Sequence, residues 1–251
     1  MPNRTVPASH RAVYAPLTQQ GRAEAVTRRL RDAIVLGVLG DGEQLPSEID
    51  LAEALGVAPV TARESLQSLR DLGLVRTKRG RGGGSFVRAP ADPDALLLRT
   101  RLAELSLVDI RDFGDFYRAI AGAAGAYAAD RAASEDIDRL RAAGVRRDVD
   151  PGGSRRAEAQ FHLEVAAATQ SARMTQEELR LQAEFGPLLW LSMASAEGRQ
   201  RSEAEHAAIV DAIAAGDRAA ARSLTEEHVG RAIDAVVRMR LALLDDNTAG
   251  R

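Results

Sequence analysis

No cysteine occurs anywhere in the 251 residues. That excludes a disulfide framework, a thiolate metal site and a cysteine nucleophile. Lysine is almost missing too: Lys78 is the only one, and the other 33 basic residues are arginine. No stretch reaches the roughly 20 apolar residues needed to cross a bilayer. The opening MPNRTVPASHRAVYAPLTQQ has no apolar core of the kind a secretory signal carries. These absences lead us to expect a cytoplasmic protein with no membrane partner.

What is present is a normal apolar share of 45%, which suits a globular chain and excludes global disorder. Alanine is the commonest residue at 47, and with Leu, Glu and Arg it favours helix. The Ala and Arg bias reads as the mark of a GC-rich bacterial genome. The net charge of -2 conceals an asymmetry: residues 1–90 carry 13 basic and 9 acidic side chains, residues 91–251 carry 21 and 27. A basic head therefore precedes an acidic body, and a basic head is what a phosphate backbone attracts.

The pattern divides near residue 90. Residues 1–20 read as a loose tail. Val26, Leu30, Ile34 and Val38 recur every four residues and predict a buried helical stripe, ended by Gly37, Gly40 and Gly42. Ser47 is a good N-cap for a short helix that stops at Gly56. Pro59 suits the first position of the next helix, which runs to about Leu72. Two short strands, 74–78 and 85–88, then flank a basic, glycine-rich tip. Residues 89–93 form a natural linker. Beyond it only helices are expected: 94–104, 107–132, 135–147, 155–169, 172–195, 201–216 and 218–245, with breaks at 151–154, 170–171, 198 and 216–217 and a kink at Pro187. The fold class is thus mainly α: a winged helix-turn-helix with a β-hairpin wing over residues 21–90, then an all-α antiparallel bundle over 91–251 with room for a core pocket.

In such a head the second helix of the motif presents its N-terminal residues to the major groove. Val60, Thr61, Arg63 and Gln67 are the candidates there, with Ser47 at the cap of the preceding helix and Lys78, Arg79, Arg81 and Gly82 in the wing. Arg63 can reach a phosphate or bond bidentately to guanine. The Gly-rich run is not a nucleotide cradle, because a strand rather than a helix follows it.

Leu45-Pro-Ser-Glu48, Leu51-Ala52, Leu55-Gly-Val57, Arg63-Glu64, Gly73-Leu-Val75 and 82–87 together resemble the N-terminal domain of GntR-type bacterial transcription regulators. Two arginines common in that family are replaced by Ile49 and Pro59. The resemblance implies operator DNA as partner.

The body holds three of the four histidines, His162, His206 and His228, each on a different predicted helix. His10 lies in the tail. Glu158 stands four residues before His162 and shares its face. Three imidazoles and a carboxylate suit a divalent ion, Zn, Ni, Mn or Fe alike, although spacing alone does not make them converge. The segments Glu158-Ala-Gln-Phe-His162 and 206–228 resemble the FCD ligand-binding domain of the FadR subfamily. That likeness implies a metal held by Glu158 (an Asp in the family), His162, His206 and His228. It also implies that Arg118 faces an effector pocket, with Gly122 where the family often has an acidic partner. Gln170 stands where an Asn often occurs. Phe185 and Trp190 are expected in the core.

The resulting expectation is a homodimeric transcription regulator, a repressor and not an enzyme, that senses a small carboxylate effector at a metal site. Two alternatives stay open: a metal-free regulator of a larger acyl or aromatic ligand, and a metal-dependent hydrolase.

Overall fold

The computed structural model describes residues 21–80, 82–89, 95–144, 151–193 and 195–249. The expected tail, Arg81 and the linker core at 90–93 lie outside these. The fold is mainly α with a small two-stranded wing. In the head, α1 (Arg22–Val35), α2 (Glu48–Leu55) and α3 (Pro59–Asp71) precede an antiparallel hairpin of β1 (Val75–Lys78) and β2 (Gly84–Val87), paired from Val75 opposite Val87 to Lys78 opposite Gly84. Ser47 caps α2 by accepting the amide of Asp50 at 3.2 Å, and Pro59 opens α3. One core unites the head: Val26, Leu30 and Ile34 of α1 pack on Ala62, Leu66 and Leu69 of α3 and on Val75 and Val87 of the hairpin. α1 ends at Val35, so Val38 does not continue the buried stripe and is 43% exposed.

The body contains α4 (Ala95–Glu104), α5 (Leu107–Arg131), α6 (Ser134–Gly144), α7 (Pro151–Ala168), α8 (Ala172–Leu189), a 3-10 turn (Trp190–Met193), α9 (Ala196–Ala214) and α10 (Arg218–Ala249). A capping box starts α5: Ser106 accepts the amide of Asp109, whose carboxylate accepts the amide of Ser106. Two apolar clusters hold the bundle. One gathers Tyr117, Phe113, Phe185, Leu188 and Ile233; the other gathers Phe161, Leu140, Ile209 and Ala221.

Three expected breaks differ. Residues 151–154 open α7 instead of interrupting the chain, since proline is tolerated in a first turn. Gly198 also falls in a first turn, where Ser195 accepts its amide at 3.0 Å, so α9 begins at Ala196. Pro187, lacking an N–H, is followed by the end of α8 at Leu189 and a tighter turn. Gln170 adopts φ +55°, the only positive value outside glycine among the described residues, in the turn between α7 and α8.

Candidate functional site

α7 brings Glu158 and His162 to the bundle centre, because Phe161, Val165 and Ala168 bury the adjoining face. α9 brings His206 and α10 brings His228. One ligand atom from each of these four residues lies within 4.8 Å of the others, and all four residues are buried, His206 to 1% exposure. Glu158 Oε1 is 3.1 Å from His228 Nε2, 3.3 Å from His206 Nε2 and 3.5 Å from His162 Nε2. The Nε2 atoms of His162 and His228 face each other at 3.2 Å. Phe161 stacks on His206 with ring centroids 3.7 Å apart.

Surrounding groups fix these side chains. Ser202 donates to Glu158 Oε2 at 2.9 Å. His228 Nδ1 meets Glu205 Oε2 at 2.6 Å, and Arg231 holds the other Glu205 oxygen at 2.9 Å. That bond engages Nδ1 and turns His228 Nε2 toward the centre, the arrangement by which a carboxylate orients a metal-binding imidazole. Burial disfavours a charged Glu158, but His206 and hydrogen bonds from the three histidines outweigh it and hold the carboxyl well below the usual range. Burial pushes His206 down to about 4. For His228 burial acts in the same sense but is overcome by Glu158 and Glu205, which raise it to about 9.

The donor set fits a divalent cation. Three imidazole nitrogens compete for one oxygen, and two of them meet nose to nose. One oxygen and three imidazole nitrogens, all within 4.8 Å of one another, are the donors such an ion takes.

The cluster opens on a cavity of about 60 Å3. Its polar side is formed by Tyr117, Arg156, Glu158, His162, Gln182 and His228. Apolar residues of α7, α8, the 3-10 turn and α10 complete the body's share, Trp190 among them, while Phe185 stays in the core. The head contributes Val35 and Leu36. Beside the cavity Tyr117 donates to buried Glu178 at 2.8 Å, and Gln182 donates to both, at 2.6 and 3.0 Å. Burial raises the carboxyl of Glu178, against the pull of His162 and the two hydrogen bonds.

Arg118 does not reach this cavity. It follows Tyr117 by one residue, about 100° round the helix, and its exposed guanidinium lies over Gly230 of α10. At Gly122 a Cβ would collide with the Glu226 side chain of α10, itself bonded to Arg222 at 2.8 Å.

On the head, α3 and the wing present an exposed face. Val60 is 55% exposed and Ile49 70%. Arg63 projects outward and pairs with Glu48 at 2.8 Å. Gln67 is engaged with Asp71 and Arg70, and Ser47 serves as the α2 cap. Thr61 is half-buried; Lys78, Arg79 and Gly82 are exposed.

Residues 22–84 match the model of the gntR family of bacterial regulatory proteins, and residues 112–231 match the FCD domain. The chain is 38% identical over 235 residues to RmpR of Mycobacterium gastri, named as an HTH-type transcriptional regulator, covering 92% of this chain and 86% of that one. It belongs to the GntR family. It is a DNA-binding transcriptional regulator with a C-terminal FCD domain, not an enzyme. Other GntR relatives include the Uxu operon transcriptional regulator of Escherichia coli, 28% identical over 61% of this chain and 60% of that one. A GntR regulator from Rhodococcus sp. RHA1 of solved structure is 24% identical, with a TM-score of 0.47 over 87% of this chain and 98% of that one. Among the described residues no helix is long and apolar enough to cross a membrane.

For this GntR protein, sequence reading missed Ser202, Glu205, Tyr117, Glu178, Gln182 and Arg156. Ser202 lies four residues before His206, on the same face, and so was discernible. Glu178 and Gln182 interrupt the apolar stripe of Leu181, Phe185 and Leu188, a polar intrusion that signals a buried network.

Proposed function

We propose that this regulator is a homodimeric repressor of the FadR subfamily, whose hold on operator DNA is set by a small organic acid bound beside a divalent metal. Glu158, His162, His206 and His228 would hold that ion. When bound, it supplies positive charge for a carboxylate oxygen. Glu205 keeps the His228 nitrogen aimed inward, Ser202 steadies Glu158, and the apolar walls exclude water. The acid would favour one seating of head on body, shifting a two-state equilibrium by its differential affinity. Dimerisation follows from the DNA side, because a single winged head makes few base contacts and gains specificity by reading two half-sites. Ser47, Val60, Thr61, Arg63, Gln67, Lys78, Arg79, Arg81 and Gly82 would form the DNA surface.

The observation that carries this reading is the convergence of four buried ligand atoms within 4.8 Å. The test is metal content of tag-free protein by mass spectrometry, beside His206→Ala. One divalent ion per chain, lost in the variant, is expected. A metal-free wild type purified without chelators would overturn the metal part and favour an effector recognised by shape.

A further inference from the structure

With an acid as effector, the body must neutralise a carboxylate in a cavity whose protein wall already carries Glu158. Among the described residues lining it, Arg156 is the only arginine or lysine. It stands at an exposed edge of the cavity, two residues before Glu158 on α7. Its planar fork suits bidentate bonding to a carboxylate. The same side chain has a second contact. Its stem lies against Gly37, where a Cβ would stand 2.5 Å from Arg156 Cδ and where φ is +75°. Gly37 directly follows Val35 and Leu36, the head residues in the cavity wall, and Leu36 is buried there.

The end of α1 is therefore part of the cavity. α1 in turn shares a core with α3, and Ser65 of α3 donates to the Ala23 carbonyl at 2.8 Å. A packed unit of this kind moves as a body rather than deforming. On its other side α1 touches the bundle through Arg29, which donates to Gln176 of α8 at 3.2 Å.

We propose that Arg156 is the anion-recognising residue of the cavity, and that it transmits the arrival of an acid to the DNA-binding head through Gly37. This rests on the reading of the effector as an acid. A guanidinium drawn toward a carboxylate carries its methylenes across the backbone of Gly37, so the end of α1 must follow. The head then shifts with α3 attached.

The experiment uses tag-free full-length protein supplied with Zn2+. Acetate, L-lactate, malonate and citrate are titrated at millimolar concentration by calorimetry into wild type, Arg156→Gln and Arg156→Lys. Hydrogen exchange is followed at residues 33–37. The best-bound acid should lose about tenfold in affinity in Arg156→Gln, the loss of one charge-assisted hydrogen bond, with part recovered in Arg156→Lys and metal content unchanged. Exchange at 33–37 should change on acid binding in wild type and not in Arg156→Gln. Equal affinity in wild type and Arg156→Gln, or the same exchange change in both, overturns the role of Arg156 and leaves the acid-effector reading standing. Failure of all four acids to bind metal-loaded wild type overturns that reading, and Arg156 falls with it. Arg156-dependent binding to protein that holds no zinc would sustain Arg156 and sink the metal.

Discussion

The head and the body of this protein handle charge in opposite ways. The head keeps its functional side chains at the surface: Arg63 is two-thirds exposed at the side chain, and its partner Glu48 lies beside it in reach of water. Nothing there must be desolvated before DNA arrives. The body buries Glu158, Glu178 and three histidines, and each buried charge or dipole needs a partner already in place. A surface site can change residue by residue with little effect on folding. A buried site stands or falls as a network, which is why its residues point so clearly to one chemistry.

The body side of the contrast is sharpened by Glu205→Gln. Its carboxylate meets Nδ1 of His228 at 2.6 Å and so turns Nε2 of that ring toward the cluster. Metal affinity, measured by competition with a chelating dye, should fall about 10–100-fold, the usual cost of removing an outer partner. No change would mean that the network is less cooperative than its burial implies.

The head side is probed by Arg63→Ala. Operator affinity should fall by about 1–3 kcal/mol if Arg63 reads a base. Stability measured by denaturant unfolding should shift by no more than about 1 kcal/mol, since an exposed ion pair contributes little. A large loss of stability would erase the distinction between an exposed head site and a buried body site.

The remaining test is one of pH. The metal-free cluster keeps His228 protonated up to about 9, while His206, at about 4, is neutral at pH 7. Binding an ion must expel the His228 proton. Apparent metal affinity should therefore rise about tenfold per pH unit below 9 and level off above it. A flat profile from pH 6 to 9 would show that His228 is neutral before metal arrives.

Much of the fold was legible in the chain. Capping residues, glycine stops and the change from helical to strand period marked the head, and the resemblance of 158–162 and 206–228 to the FCD domain, not their spacing alone, named the cluster. What sequence did not reveal depends on rotation about a helix axis. Arg118 and Tyr117 are neighbours in the chain, yet only Tyr117 turns toward the cavity, because the stripe of Phe113, Tyr117 and Ala121 sets that face. Arg156 escaped notice for a related reason. It falls inside the expected helix 155–169, but nothing local in the chain marks that its stem lies against Gly37 of the head. Long-range partners such as Glu205 for His228 have no local signal at all.

Trp190, the only tryptophan of the chain, opens the 3-10 turn and forms part of the cavity wall. The protein thus carries its own optical reporter. A solute entering the cavity displaces water beside one indole, and the emission of the whole molecule comes from that place. Occupancy can be followed in unlabelled protein by a shift in fluorescence colour, with no second tryptophan to dilute the signal.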